Sequence, residues 1–80
     1  MSVANLDDEV RSLVAEILER DPSQLDPDAR LVEDLGMDSM MALEIIASLE
    51  KRYKIRLPEQ ELQEVKTVNR VIELAKRYVH

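Results

Sequence analysis

Apolar residues recur at helical spacing in three separate stretches of this 80-residue chain. The first stretch covers residues 4–20, the second covers residues 39–53, and the third begins at Thr67, a residue type that favours helix N-caps. A shorter helical turn is predicted over residues 59–65, directly after Pro58. No stretch is predicted to be a strand. The pattern therefore indicates an all-α fold, a small antiparallel bundle of three main helices plus one short helix.

The spacing also predicts which side of each helix faces the core. The first apolar stripe contains Leu6, Val10, Leu13, Val14, Ile17 and Leu18. The second contains Met40, Leu43, Ile46, Ala47, Leu49 and Tyr53, interrupted by Glu50, and the last contains Val68, Val71, Ile72, Ala75, Tyr78 and Val79. Because neighbours on a helix point about 100° apart, Met40 and Met41 cannot both face the core. We expect Met41 to be the exposed one.

A long connection, residues 21–38, links the first two helices and contains two prolines. Connections of this length usually have a structural or functional reason. We expect four apolar side chains to hold it against the core: Leu25, Leu31, Val32 and Leu35. Gly36, the only glycine, is predicted to be a turn residue with positive φ that leaves the approach to Ser39 uncrowded.

Ser39 is expected at the start of the second helix, directly after Asp38. The unpaired N–H groups and the positive end of the helix dipole favour an anion there. This environment suits a serine that carries a phosphodiester. From the residues alone, however, the commoner role of a serine at this position is a helix cap.

The run from Leu31 to Met40, followed by Glu44, Leu49-Glu50, Tyr53 and Leu57-Pro58, closely resembles the acyl carrier protein family. The pattern from Thr67 to Tyr78 also matches, so the resemblance covers nearly the whole chain.

The resemblance implies a role for Ser39. It matches the serine that carries 4'-phosphopantetheine in the family, whose thiol holds acyl groups as thioesters. Met40 stands where leucine is most usual. A phosphopantetheinyl transferase would move the arm from coenzyme A onto Ser39, with Asp38 helping to dock that enzyme or to orient the site.

Residues 1–80 would then form a single acyl carrier domain with no catalytic residues of its own. Its partners would be acyl-loading, condensing and transfer enzymes of fatty acid or specialised lipid biosynthesis.

The charge distribution adds a prediction about those partners. The formal net charge is -6, and residues 31–50 hold five acidic and no basic side chains. Such a surface repels nucleic acid and attracts basic patches on enzymes. The predicted docking residues are Asp34, Asp38, Met40, Met41, Glu44 and Glu50.

Two features depart from the fatty-acid type of carrier. Met41 occupies a position where such carriers commonly have a carboxylate, and four basic residues lie between Lys51 and Arg56. Two alternatives therefore stay open. One is a free-standing polyketide, aminoacyl or peptidyl carrier, and the other is a helical interaction domain that is never modified.

Composition argues against several other functions. The chain has no cysteine, and His80 is its only histidine, so neither a Ser-His-Asp nor a Cys-His site is expected. Asp26 and Asp28 do not begin an EF-hand, because Leu31 replaces its glycine, and no metal site is expected. No apolar stretch approaches the roughly 20 residues of a membrane span. We expect a soluble, cytoplasmic, monomeric protein.

Overall fold

The computed structural model describes residues 5–79, so the predictions for Ala4 and for His80 lie outside the described residues. Three α-helices are present: α1 (Leu6–Ile17), α2 (Ser39–Tyr53) and α3 (Val68–Tyr78). A 3₁₀ helix, Glu59–Glu64, precedes α3, and a 3₁₀ turn, Pro22–Gln24, follows α1. The all-α class with three main helices and a short one is confirmed. Within residues 5–79 the only strand-like feature is an isolated antiparallel bridge between Arg30 and Thr67.

Helix α1 ends earlier than residue 20, where the sequence pattern placed its end. Glu19 adopts the left-handed conformation, with φ of 57°. The Glu19 N–H donates to the Glu16 carbonyl, and the Arg20 N–H donates to the Ala15 carbonyl at 2.8 Å. This is the Schellman arrangement, which closes a helix by satisfying its last carbonyls.

Helix α2 has the predicted bounds, and its C-terminal end is fixed in a similar way. Lys54 has φ of 55°, and the Ile55 N–H donates to the Glu50 carbonyl. The Tyr53 hydroxyl donates to Glu9 of α1 at 2.9 Å. Burial and this hydrogen bond together raise the pKa of Tyr53 to about 12.

The predicted stripe of α2 is only partly correct: Ile46 and Leu49 are buried and Tyr53 is partly buried, but Met40, Leu43 and Ala47 are exposed. The residues of α2 that face the core are Ala42, Ile45, Ile46 and Leu49. Met40 is 73% exposed and Leu43 is 52% exposed, whereas Met41 is partly buried against the core. The prediction that Met41 would be the exposed methionine is therefore wrong. Both sets of residues recur at helical spacing, so only the packing of α2 onto the other helices decides between them.

The connection between α1 and α2 is held against the core at Leu25 and Leu31, as expected, with Leu35 partly buried. Val32 is 53% exposed, so its predicted anchoring role is wrong. Met37, which the pattern did not select, is buried instead. The reason is a turn in which the Met37 N–H donates to the Leu31 carbonyl and directs Val32 outward.

Helix α3 begins at the predicted cap. The Thr67 hydroxyl accepts the Arg70 N–H at 3.1 Å. The Leu31 N–H donates to the Lys66 carbonyl at 2.8 Å, which joins the connection to the start of α3. Across residues 5–79 the core is entirely apolar, and none of its helices is long and apolar enough to cross a membrane.

Candidate functional site

Ser39 is the first residue of α2, and its side chain is exposed. Two features of the preceding chain place it there. Gly36 has φ of 71°, and its N–H donates to the Val32 carbonyl. Met37 then inserts its side chain into the core and is only 3% exposed. Ser39 therefore follows a turn that is anchored two residues before it.

Asp38 supplies the N-cap of α2. Its backbone is extended, with φ of -115° and ψ of -179°, and its Oδ1 accepts the Met41 N–H at 2.9 Å. The Asp38 carbonyl accepts the Ala42 N–H and starts the regular helix. The capping role that the sequence left open for Ser39 thus belongs to Asp38. The hydroxyl of Ser39 is left accessible at the positive end of the helix dipole.

A shallow groove of about 450 Å³ runs beside Ser39. Its walls come from the connection, the first turn of α2 and the chain around the second 3₁₀ helix: Val32, Met37, Asp38, Ser39, Ala42, Leu62 and Val65. We call it the serine groove. Five of these seven side chains are apolar, and the volume lies within the roughly 300–1,000 Å³ of small-molecule sites.

The surroundings of Ser39 fit a covalently attached anionic arm. The hydroxyl is exposed, the helix terminus favours an anion, and the groove offers an apolar surface along which an arm can lie. A methyl group added at Gly36 would meet no atom within 4 Å. The glycine is therefore needed for its backbone conformation rather than for space.

Apolar side chains are exposed close to Ser39. Met40 follows it directly, Leu43 lies one turn further along, and Val32 lines the serine groove. Met40, Leu43, Glu44 and Ala47 share the side of α2 that points away from the core, and we call this the outer face of α2. Neither Leu43 nor Val32 was among the docking residues predicted from the sequence. The sequence does contain a signal for an exposed apolar surface, because α2 has more apolar positions than one buried face requires.

The predicted acidic docking residues differ in whether their carboxylates already bind other groups of the protein. Asp34 Oδ2 accepts the Arg30 N–H at 2.9 Å, and Asp38 caps α2. Glu50 Oε2 accepts the Leu57 N–H at 2.9 Å, at the far end of α2 from Ser39. Glu44 is exposed and has no ion-pair partner within residues 5–79. The structure thus places Asp34, Asp38, Met40 and Glu44 around one end of α2 and leaves Glu50 apart.

Groups of three or more metal-ligating side chains are absent from the part of the chain that the structure describes.

Comparison with known protein sequences gives three results. A family model described as "Phosphopantetheine attachment site" matches residues 8–75, which include Ser39. Polyketide-8 synthase acyl carrier protein 2 of Streptomyces avermitilis is 43% identical over 67 residues, 84% of this chain and 77% of that protein. An acyl carrier protein of Helicobacter hepaticus is 35% identical over 63 residues, 79% of this chain and 83% of that protein.

A solved structure resembles the fold as well. The free-standing peptidyl carrier protein from a secondary metabolic pathway of Acinetobacter baumannii has a TM-score of 0.77 and 29% identity. The similarity covers 95% of this chain and 94% of that one.

Proposed function

The chain belongs to the family of phosphopantetheine-binding carrier proteins, and we propose that it carries acyl groups as thioesters on an arm attached to Ser39. The members of this family carry intermediates and do not catalyse reactions themselves. Their attached group is phosphopantetheine. In this proposal a phosphopantetheinyl transferase moves the 4'-phosphopantetheine of coenzyme A onto Ser39. The Ser39 oxygen gives its proton to a base and attacks the phosphorus next to the pantetheine; the pyrophosphate bond breaks, adenosine 3',5'-bisphosphate leaves, and a phosphodiester remains.

One observation supports Ser39 as the attachment site. Its hydroxyl is exposed at the first position of α2, because Asp38 takes over the capping of that helix. The other described serines lack this setting. Ser12 lies within α1, Ser48 lies within α2, and the Ser23 hydroxyl donates to Asp21 at 2.8 Å.

The arm contributes proximity. A thioester on a flexible tether stays near any enzyme that binds the carrier. The encounter of the thioester with the active site of that enzyme therefore becomes intramolecular. Chemistry then takes place in the partner, and the carrier supplies position.

The proposed docking surface is the outer face of α2 together with the carboxylates of Asp34 and Asp38. Exposed Met40 and Leu43 offer adaptable apolar contact, and Glu44 offers a free negative charge. A partner that fits this surface has an apolar pocket surrounded by basic residues. Met41 and Glu50, also expected to dock, have weaker support, because Met41 packs on the core and Glu50 binds the Leu57 N–H.

We propose polyketide biosynthesis as the pathway, with fatty acid or specialised lipid biosynthesis, the pathway predicted from the sequence, as the second candidate. The relative from a polyketide synthase is 43% identical, compared with 35% for the acyl carrier protein of Helicobacter hepaticus. Met41, in place of the usual carboxylate, also favours the polyketide candidate. Loading assays with fatty-acid and polyketide malonyl transferases distinguish the two, since the cognate enzyme gives the higher kcat/KM.

The attachment site is tested by incubating the protein with coenzyme A, magnesium and a broad-specificity phosphopantetheinyl transferase, followed by intact mass measurement. We expect the wild type and the control Ser12→Ala to gain one phosphopantetheinyl group and Ser39→Ala to gain none. A gain in Ser39→Ala, or no gain in folded wild type, would overturn the proposal. The second outcome would support an unmodified interaction domain.

A further inference from the structure

Four basic side chains lie at and just beyond the end of α2 that is away from Ser39: Lys51, Arg52, Lys54 and Arg56. All four are exposed, and none of them forms an ion pair with any residue between 5 and 79. We call these four residues the basic segment. The cations that do pair with carboxylates lie elsewhere in the chain: Arg30, Arg70, Lys76 and Arg77.

The backbone of the basic segment is fixed to the rest of the protein. The Ile55 N–H donates to the Glu50 carbonyl at 3.1 Å, and the Leu57 N–H donates to Glu50 Oε2 at 2.9 Å. Leu57 is buried, and Ile55 packs partly buried against the core. Glu50 is the acidic residue next to Lys51 in the chain, and one of its oxygens is already bound to the Leu57 N–H. The positive charges therefore stand on an ordered part of the fold.

Helix stability explains only part of the basic segment. Lys51 and Arg52 lie in the last turn of α2, where cations interact favourably with the helix dipole. That interaction falls off beyond the last turn, so it does not explain Arg56. Lys54 has φ of 55°, a conformation in which glycine is usual and a lysine is strained. The positive charge at residue 54 is therefore kept at a conformational cost.

Two of these cations continue the outer face of α2. Positions three and four apart share one side of a helix, so Lys51 follows Ala47 on this face and Lys54 follows Lys51. Arg52 is rotated by about 100° from Lys51. The outer face is thus apolar and acidic beside Ser39 and basic at its other end.

The two ends of the outer face act as separate charges. At the rise of an α-helix, the first and last residues of α2 are about 21 Å apart. Charges that are exposed to solvent are screened beyond roughly 8 Å at physiological salt. The acidic end near Ser39 therefore does not neutralise the basic end, and each end can attract an opposite charge on a partner.

A protein surface fits this arrangement better than an anionic membrane does. Basic helices that bind membranes also bury apolar side chains. Among the described residues, the exposed large apolar side chains are Val32, Met40 and Leu43, at the Ser39 end of the molecule. A uniformly negative surface would also repel the formal net charge of -6. A protein can instead place basic residues opposite Glu44 and acidic residues opposite the basic segment.

We propose that Lys51 and Lys54 bind an acidic patch on the enzyme that loads the acyl group onto the arm. This inference rests on the function proposed above, and it adds a second contact, of opposite charge, to the same partner. Contacts of opposite sign at the two ends of α2 fix the direction in which the helix lies on the enzyme, because the reversed direction brings like charges together. The direction of α2 in turn determines whether the arm on Ser39 reaches the active site.

The test uses the malonyl transferase that loads the wild type with the higher kcat/KM, after the arm has been attached and its mass verified. Lys51→Gln/Lys54→Gln is compared with the control Arg20→Gln/Arg52→Gln. Each variant loses two exposed positive charges, one of them from the last turn of α2, so the two match in net charge and in the helix-dipole effect. Only the first pair lies on the outer face. Circular dichroism verifies that both variants fold.

We expect Lys51→Gln/Lys54→Gln to raise KM and to lower kcat/KM roughly 2- to 30-fold at low salt, as the loss of two exposed ion pairs predicts. High salt should reduce this deficit, and kcat should not change. The control should load like the wild type. When ¹⁵N-labelled protein is titrated with unlabelled transferase, the amides of Lys51 and Lys54 should shift together with those of Met40 and Glu44.

Three results would overturn the inference. Equal losses in the two variants would show that only net charge matters, and unchanged loading of Lys51→Gln/Lys54→Gln would exclude the acidic patch. Unchanged loading together with binding to vesicles of phosphatidylserine and phosphatidylcholine would assign the basic segment to an anionic membrane. If Ser39 gains no arm, or if neither transferase loads it, the proposed function fails instead, so the two failures are distinguishable.

Discussion

Asp38 caps α2 and has a proposed docking role, and substitution can separate the two. Its Oδ1 accepts the Met41 N–H at 2.9 Å as the N-cap of α2, and its negative charge lies beside Ser39 on the proposed docking surface. Asp38→Ala removes both the cap and the charge. Asp38→Asn removes the charge only, because asparagine caps a helix about as well as aspartate.

The size of each effect follows from the geometry. Loss of a side-chain N-cap costs about 1 kcal/mol of unfolding free energy, and the single exposed hydrogen bond of Asp38 fits that value. For a domain of this size, about 1 kcal/mol lowers Tm by roughly 4–8 °C. Asp38→Asn loses only the interaction of the charge with the helix dipole, roughly 0.3–1 kcal/mol at low salt. The alanine variant should therefore be clearly less stable than the asparagine variant.

Urea unfolding followed by circular dichroism measures stability, and the rate of arm transfer onto Ser39 measures docking. We expect Asp38→Asn to stay near wild-type stability and yet to accept the arm more slowly at low salt, with the deficit shrinking as salt is added. Equal destabilisation by asparagine and alanine would refute the capping argument. A wild-type transfer rate in Asp38→Asn would refute the docking role of its charge.

Three further predictions follow from other parts of the molecule. Met40→Ala should lower kcat/KM with partner enzymes without changing stability. Met37→Ala should cost about 2–5 kcal/mol of unfolding free energy, because the Met37 side chain is buried. Equal stability losses of the two variants in urea titrations would contradict this prediction. Lys54→Gly should stabilise the protein by about 1 kcal/mol, since glycine adopts the positive φ of that position without strain, and a lower Tm would contradict the assignment. Tyr53 should ionise near its raised pKa of about 12 in an absorbance titration of Tyr78→Phe. Folding favours the protonated phenol of Tyr53. The stability that this phenol contributes is therefore complete below pH 10 and is lost as pH rises from 10 to 12. Tyr53→Phe should abolish this loss of stability.

Much of the fold could be predicted because its boundaries depend on local signals. Asp38 and Thr67 cap the helices that follow them, and Pro58 precedes the 3₁₀ helix, all within a few residues of sequence. The early end of α1 could not be predicted in this way. It depends on Glu19 adopting a left-handed conformation in which glycine is usual.

The main error of the prediction from sequence was the orientation of α2 about its own axis. Met40 and Leu43 fit a helical stripe with Leu49 as well as Ala42 and Ile45 do, and spacing alone cannot tell an inner face from an outer one. Only contact with α1 and the 3₁₀ helix fixes which residues are buried. The position of Ser39 was predictable because it depends on the turn and the cap. The groove lined by Arg30, Lys66 and Arg70 was not predictable, because it brings together residues more than thirty positions apart in the chain.

Helix α2 buries one face and exposes another apolar face beside Ser39. Mutations at Met40, Leu43 or Glu44 therefore change the chemistry seen by other proteins while the core stays intact. Under the docking role proposed for this face, single substitutions there would give a copy of this chain a new enzyme partner. Selection for folding and selection for partner choice would then act on different residues of one helix.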